Sequence, residues 1–201
     1  ASGGLWLHSP TRFQPALRNA LGRIGPVEHL VAPNVGHWTH VRDWRQDFPQ
    51  ATIWAAPILR LRPQVKLAGL AIDHDLDDHP PAAWAAEIDQ LILSGTGGYR
   101  EVVFLHRPSR TLVLTDFVAN LEASMLPFAT RIFARLNGML APDGRAPLYL
   151  RSSVLLRRRQ AAATARRMLD WAPERVIFAH GRWFETDGTA RLARSLRWLT
   201  G

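Results

Sequence analysis

The chain has 201 residues, 47% of them apolar, which is enough for a domain with a sizeable core and too apolar for a disordered segment. It has no cysteine, which excludes disulfides, thiolate metal sites and a Cys nucleophile. The formal charge of +8 is almost wholly arginine, Lys66 being the only lysine, yet the arginines are scattered and no nucleic-acid-reading motif accompanies them. Nucleic acid is therefore not the expected partner. No run approaches the ~20 apolar residues of a membrane span, and no membrane partner is expected. The start, ASGGLWLHSP, lacks a basic region followed by a long apolar block, so no signal peptide is expected and the cytoplasm is the expected location. The leading Ala-Ser reads as a cloning remnant.

GLWLHSP (4–10) reads as a strand stopped by Ser-Pro. FQPALRNALGRIG (13–25) has helical apolar spacing closed by Gly25. VEHLVAP (27–33) is a strand, HVRDWRQDFP (40–49) a helix and ATIWAAP (51–57) a third strand. This β-α-β-α-β alternation predicts parallel strands with packed helices. From 58 to 80 the pattern weakens, and IDHDLDDHPP reads as an exposed acidic loop without the spacing of a calcium loop. PAAWAAEIDQLILSG reads as a short helix running into a strand. REVVFLHRPSRTLVLTD (100–116) is a β-hairpin signal. The stretch 117–140 has helical spacing interrupted by Pro127, APDGRAP (141–147) is a loop, and 152–171 reads as one long basic helix. ERVIFAHG (174–181) is a strand ending in His-Gly, and TARLARSLRWL (189–199) is a terminal helix. With no repeat or linker, a single domain over 1–201 is the simplest account, with room for a truncated N-terminal strand.

Ligand sites in α/β sheets gather where strands end. Polar residues stand at four predicted strand ends: His8-Ser9, Asn34 with His37 and His40, Thr115-Asp116, and His180-Gly181. Two imidazoles and a carboxylate from three strands suit one zinc, iron or manganese ion. The alternative is a metal-free, hydrogen-bonded cluster of the same groups. Trp38 and Trp183 flank these turns and would wall a pocket, or simply pack the loops together.

The order of these elements resembles the metallo-β-lactamase superfamily. LWLHSP, VAPN…H, FPQATIWAAP, EVVFLHRPSRTLVLTDFVANL and the late His-Gly are together similar to a bacterial branch of it known as a domain of unknown function. The resemblance implies a four-layer αββα sandwich with two mixed sheets. It also implies where metal would bind. Laying the HxHxDH motif on APNVGH puts Ala32, Asn34 and Gly36 where the superfamily has two His and an Asp, and keeps His37. The turn SGTGGYRE lacks the next His, Asp116 takes the bridging Asp and His180 the final His. The first metal position has thus lost its imidazoles. What remains is at most a mononuclear site of His37, Asp116 and His180, with Asn34 as a weak oxygen donor or water partner. His40 would substitute only if its loop bent inward, and His8-Ser9 replaces the superfamily's supporting Asp-Thr-Gly turn. Two readings follow. One is a metal-dependent, hydrolase-like protein acting on an ester, lactone or phosphoester through a metal-bound water. The other is a non-catalytic member of the fold, with one metal ion or none, that binds a small ligand or a protein.

Overall fold

Three apolar stretches in the first third of the chain run side by side in the computed structural model, which describes residues 3–201. Ala1 and Ser2, read above as a remnant, lie outside the described residues. β1 (Leu5–His8), β2 (Val27–Ala32) and β3 (Thr52–Ala55) pair in parallel, placing Leu7 beside Leu30 and Leu30 beside Ile53. The crossovers are α1 (Pro15–Gly22) and α2 (Val41–Asp47), as the alternation predicts. Alternate residues of a strand face opposite sides. Leu5, Leu7, Leu30, Ala32, Ile53 and Ala55 therefore meet the apolar sides of the helices in one cluster, which includes Leu21, Val41 and Trp44. Full burial of each Leu or Ile there contributes about 1.5–3 kcal/mol. Trp44 is the tryptophan at the centre, 1% exposed, stacked on Phe48 and edge-on to Phe13. Its indole N–H donates to the Thr11 carbonyl at 2.7 Å, which satisfies the ring's polar atom.

The acidic stretch after residue 70 is more ordered than a free loop. His74–Asp75 forms a short β4, parallel to β3. Asp73 accepts from the Ile53 amide and from Arg45, each at 2.7 Å, and the Arg60 Nε–H is shared between the two Asp75 carboxylate oxygens at 2.8 and 2.9 Å. This first sheet, in the order β1-β2-β3-β4, is parallel throughout rather than mixed. α3 (Pro63–Leu67) fills part of the segment where the sequence pattern weakens.

The chain divides into two compact units, one through Asp77 and the other over Asp78–Gly201. In the second, β5 (Ile88–Ser94), β6 (Arg100–His106) and β7 (Thr111–Val113) form an antiparallel meander that includes the predicted hairpin. β9 (Arg175–Ile177) joins β7 in parallel, so this sheet is mixed. β8 (Ala119–Asn120) and β10 (His180–Gly181) make a separate two-stranded parallel ribbon.

Three sequence expectations change here. Residues 82–87 form turns rather than a helix before β5. Helix occupies only part of 117–140. Phe117 and Val118 are buried and lead into β8, and α4 (Phe128–Asn137) starts directly after Pro127, where the missing N–H costs nothing. Gly138, in the left-handed region at φ 70°, closes that helix. The expected helix over 152–171 is two, α5 (Leu148–Leu155) and α6 (Arg158–Asp170). Arg157 leaves helical geometry between them, and α6 buries Ala161, Ala162, Thr164, Ala165 and Met168. α6 packs on β5 and on α7 (Gly188–Thr200), the predicted terminal helix, which buries Leu192, Leu196 and Leu199. No helix among the described residues is long and apolar enough to cross a membrane.

Candidate functional site

In the second unit, β7 ends at Val113, the Leu114 amide still donates to the Ile177 carbonyl at 2.8 Å, and the chain then turns at Thr115-Asp116-Phe117. A buried carboxylate fixes this turn. Glu101, on β6 and fully buried, accepts the Thr115 amide at 2.8 Å, the Asp116 amide at 3.1 Å and the Phe117 amide at a longer 3.5 Å. The Tyr99 hydroxyl also donates to it. Burial and the nearby Asp116 charge raise the Glu101 pKa, while the Tyr99 and amide hydrogen bonds pull it down. Tyr99 is held well above its ordinary 10 by burial and by Glu101, which keeps the phenol a donor.

Gripped from behind in this way, Asp116 turns its side chain to His180. The His180 Nε2 and Asp116 Oδ1 are 2.9 Å apart. The ribbon of β8 and β10 sets His180 at that distance, pairing it with Ala119 and Gly181 with Asn120. Gly181 is required by the geometry. Its φ is +97°, and a Cβ there would stand 2.1 Å from the Asn120 carbonyl oxygen. The His-Gly pair in the sequence therefore has a physical reason: the glycine permits the close approach that delivers the histidine.

In the first unit, the turn after β2 is built on Asn34, also fully buried. Its side-chain oxygen accepts the amides of Gly36 and His37, each at 2.8 Å. That oxygen serves as a turn-former, which accounts for the amide at this position without a metal. Ser9, at the end of β1 with φ 48°, shares a 2.6 Å hydrogen bond with His37 Nδ1. His8 stacks on Trp6 at 5.4 Å between ring centroids. Burial, helped by the proximity of His37, pushes the His8 pKa down to about 3, so this ring is neutral at physiological pH. Trp38 donates its indole N–H to the Val35 carbonyl at 3.2 Å, an internal brace of the same turn. His40 is the residue before α2, makes no side-chain cap, and gives its carbonyl to the Trp44 amide.

The structure thus joins the predicted residues in two constellations, Asp116 with His180 and His37 with Ser9, His8 and Asn34. Trp183 is half exposed and borders a cleft of about 490 Å³ with Glu122, Met125, Gly181, Arg182 and Glu185. Three residues were not singled out in the sequence. Glu101 had a visible signal, a lone acid opening an otherwise apolar strand run, REVVFLH. Tyr99 gave none. Tyr149, on α5, lies close enough for the Asp116 charge, after burial, to raise its phenol pKa.

The fold built from these pieces has relatives among solved structures. The DIM-1 metallo-β-lactamase exposed to ceftazidime aligns over 96% of this chain and 77% of its own, with TM-score 0.59 and 16% identity. A metallo-β-lactamase from Pontibacter korlensis aligns over 100% of this chain and 84% of its own, with TM-score 0.60 and 12% identity. A peroxy-diiron species of the chemotaxis sensor ODP aligns over 99% and 82%, with TM-score 0.60 and 13% identity. No curated protein gives a significant sequence match. The model of the family described as "Domain of unknown function (DUF4336)" matches residues 1–137, about two thirds of the chain, so this protein, an α/β chain with the metallo-β-lactamase fold, belongs to that family.

Proposed function

We propose that the protein is a metal-dependent, hydrolase-like member of its fold, with one divalent ion held by His37, Asp116 and His180. The observation that carries this reading is the Asp116–His180 pair, two ligand types on a backbone fixed by the buried Glu101. His37 supports it, since the Ser9 hydroxyl holds one ring nitrogen and so fixes the ring's orientation, as a ligating imidazole requires. The donor set fits zinc, iron or manganese, and the diiron state of the ODP relative is a precedent for iron in this fold. The resemblance places the ligands of a second ion at Ala32, Asn34 and Gly36, none of which offers an imidazole or a carboxylate.

An ion bound there would polarise a carbonyl or phosphoryl oxygen and lower the pKa of a coordinated water towards ~7. The chain's own part is to orient. Asn34 and Glu101 fix the two turns, Ser9 fixes the His37 ring, and Tyr149 offers a protonated phenol beside Asp116. The substrate class is a small ester, lactone or phosphoester. A second reading, a non-catalytic ligand-binding or protein-binding module, is favoured by the same losses at Ala32, Asn34 and Gly36 and by the neutral, stacked His8.

Elemental analysis of protein purified without added metal tests the choice. The first reading expects about one zinc, iron or manganese per chain, absent from His37→Ala and His180→Ala variants. It also expects a melting temperature that rises with that metal, since zinc at 100 times its Kd adds about 2.7 kcal/mol. Protein free of metal, with a melting temperature indifferent to both zinc and chelator, selects the second.

A further inference from the structure

α4 is amphipathic, but its apolar face points the wrong way for a core helix. Phe128, Ile132, Phe133 and Leu136 lie at i, i+4, i+5 and i+8, so they share one side. They are 71, 45, 54 and 78% exposed, and Ala134, on the other side, is the one residue of the helix that is buried. The face continues onto α5. Asn137 at the end of α4 accepts the Leu148 amide on its side chain and the Arg151 guanidinium on its carbonyl, both at 2.9 Å. This link sets Leu148 and Tyr149, 55 and 71% exposed, beside the end of α4. Isolated exposed leucines are ordinary, whereas a continuous stripe of this size marks a contact surface.

The charge around the stripe says what kind of contact. Residues 123–160 hold seven arginines and one acid, Asp143, so this fifth of the chain carries +6 of the formal +8. Asp143 is itself paired with Arg194 at 2.9 Å. Arg131 and Arg135 stand on α4 along one edge of the apolar face, and Arg157, Arg158 and Arg159 follow α5, all exposed. A second copy of the chain would bring the same positive charge against itself. Nucleic acid phosphates would match the arginines but give no partner to Ile132, Leu136 and Leu148. Anionic headgroups over acyl chains match both.

We propose that the α4–α5 face is a peripheral docking surface for anionic lipid. Its apolar side chains enter the headgroup boundary and its arginines engage the phosphates. This departs from the expectation of no membrane partner, which rested on the lack of a spanning segment; lying on a bilayer does not require one.

The test is co-sedimentation of the whole protein with phosphatidylcholine vesicles, with and without phosphatidylglycerol. Binding is expected to the anionic vesicles alone and to weaken as salt rises. Arg131→Ala with Arg135→Ala should weaken it about 30-fold, at about fivefold per arginine. Phe128→Ser with Phe133→Ser should abolish it. Both pairs are exposed, so circular dichroism and melting temperature should match the parent. Absence of binding at low salt overturns the proposal. So does binding that survives the Phe pair, which would mean general polyanion attraction. Self-association lost in the Phe pair, without vesicle binding, overturns it in favour of a second copy.

Discussion

The turn that presents His37 and the turn that presents Asp116 solve the same problem with different chemistry. Both follow a buried strand, and both expose backbone amides that need an acceptor. The first uses a neutral amide, Asn34, whose oxygen takes two N–H groups. The second uses a carboxylate, Glu101, taking up to three amides and a phenol. A neutral acceptor is cheap to bury and modest in grip. A buried carboxylate is costly to desolvate and holds only because its donors converge, so removing it leaves several donors stranded. The second turn should therefore be the stiffer and the more fragile to substitution.

The largest break in that comparison is Glu101→Ala. It should cost about 3–5 kcal/mol in urea unfolding, and Glu101→Gln should recover part of that by keeping one acceptor oxygen. A cost below about 1 kcal/mol would show that water replaces the carboxylate and that the grip is weak. Acid comes next. His8 binds a proton at its ordinary 6.5 when unfolded but only near 3 when folded. Its share of stability is complete above pH 6.5 and falls as pH drops towards 3, by about 2 kcal/mol at pH 5. A His8→Phe variant should flatten that part of the pH–stability curve, and an unchanged slope would assign it to the carboxylates. Asn34→Ala should cost about 1–2 kcal/mol, less than Glu101→Ala, and the reverse order would invert the comparison. The smallest effect is Ser9→Ala, about 0.5–1 kcal/mol, and if His37 holds an ion as proposed its clearer signature is looser metal retention rather than lower melting temperature.

The sequence made half of the architecture readable and blurred the rest for identifiable reasons. Apolar residues with the correct periods between Pro and Gly stops marked β1 through β3 with their helices, because those elements bury one face each. His74–Asp75 escaped because a two-residue edge strand of polar residues has no period at all. Residues 117–127 mimicked a helix because Phe117, Val118 and Leu121 have helical spacing, although the chain there is a short strand between turns. In α5–α6 the arginine run hid the break, since composition is uniform across it while the buried faces are not. Within the site, His180 and Asp116 were legible from strand-end position. Glu101 was visible as an odd acid, but its task depends on amides at 115–117 that no side-chain pattern announces.

The groups that clasp Glu101 from the turn belong to the main chain, and every residue except proline supplies one. The side chain at 116 is thus not part of its own scaffolding. Exchanging that carboxylate for a carboxamide, a thiol or an imidazole would re-equip this position while the turn beneath it stays intact. A lineage, or an engineer, can change the chemistry at this spot without first rebuilding the fold.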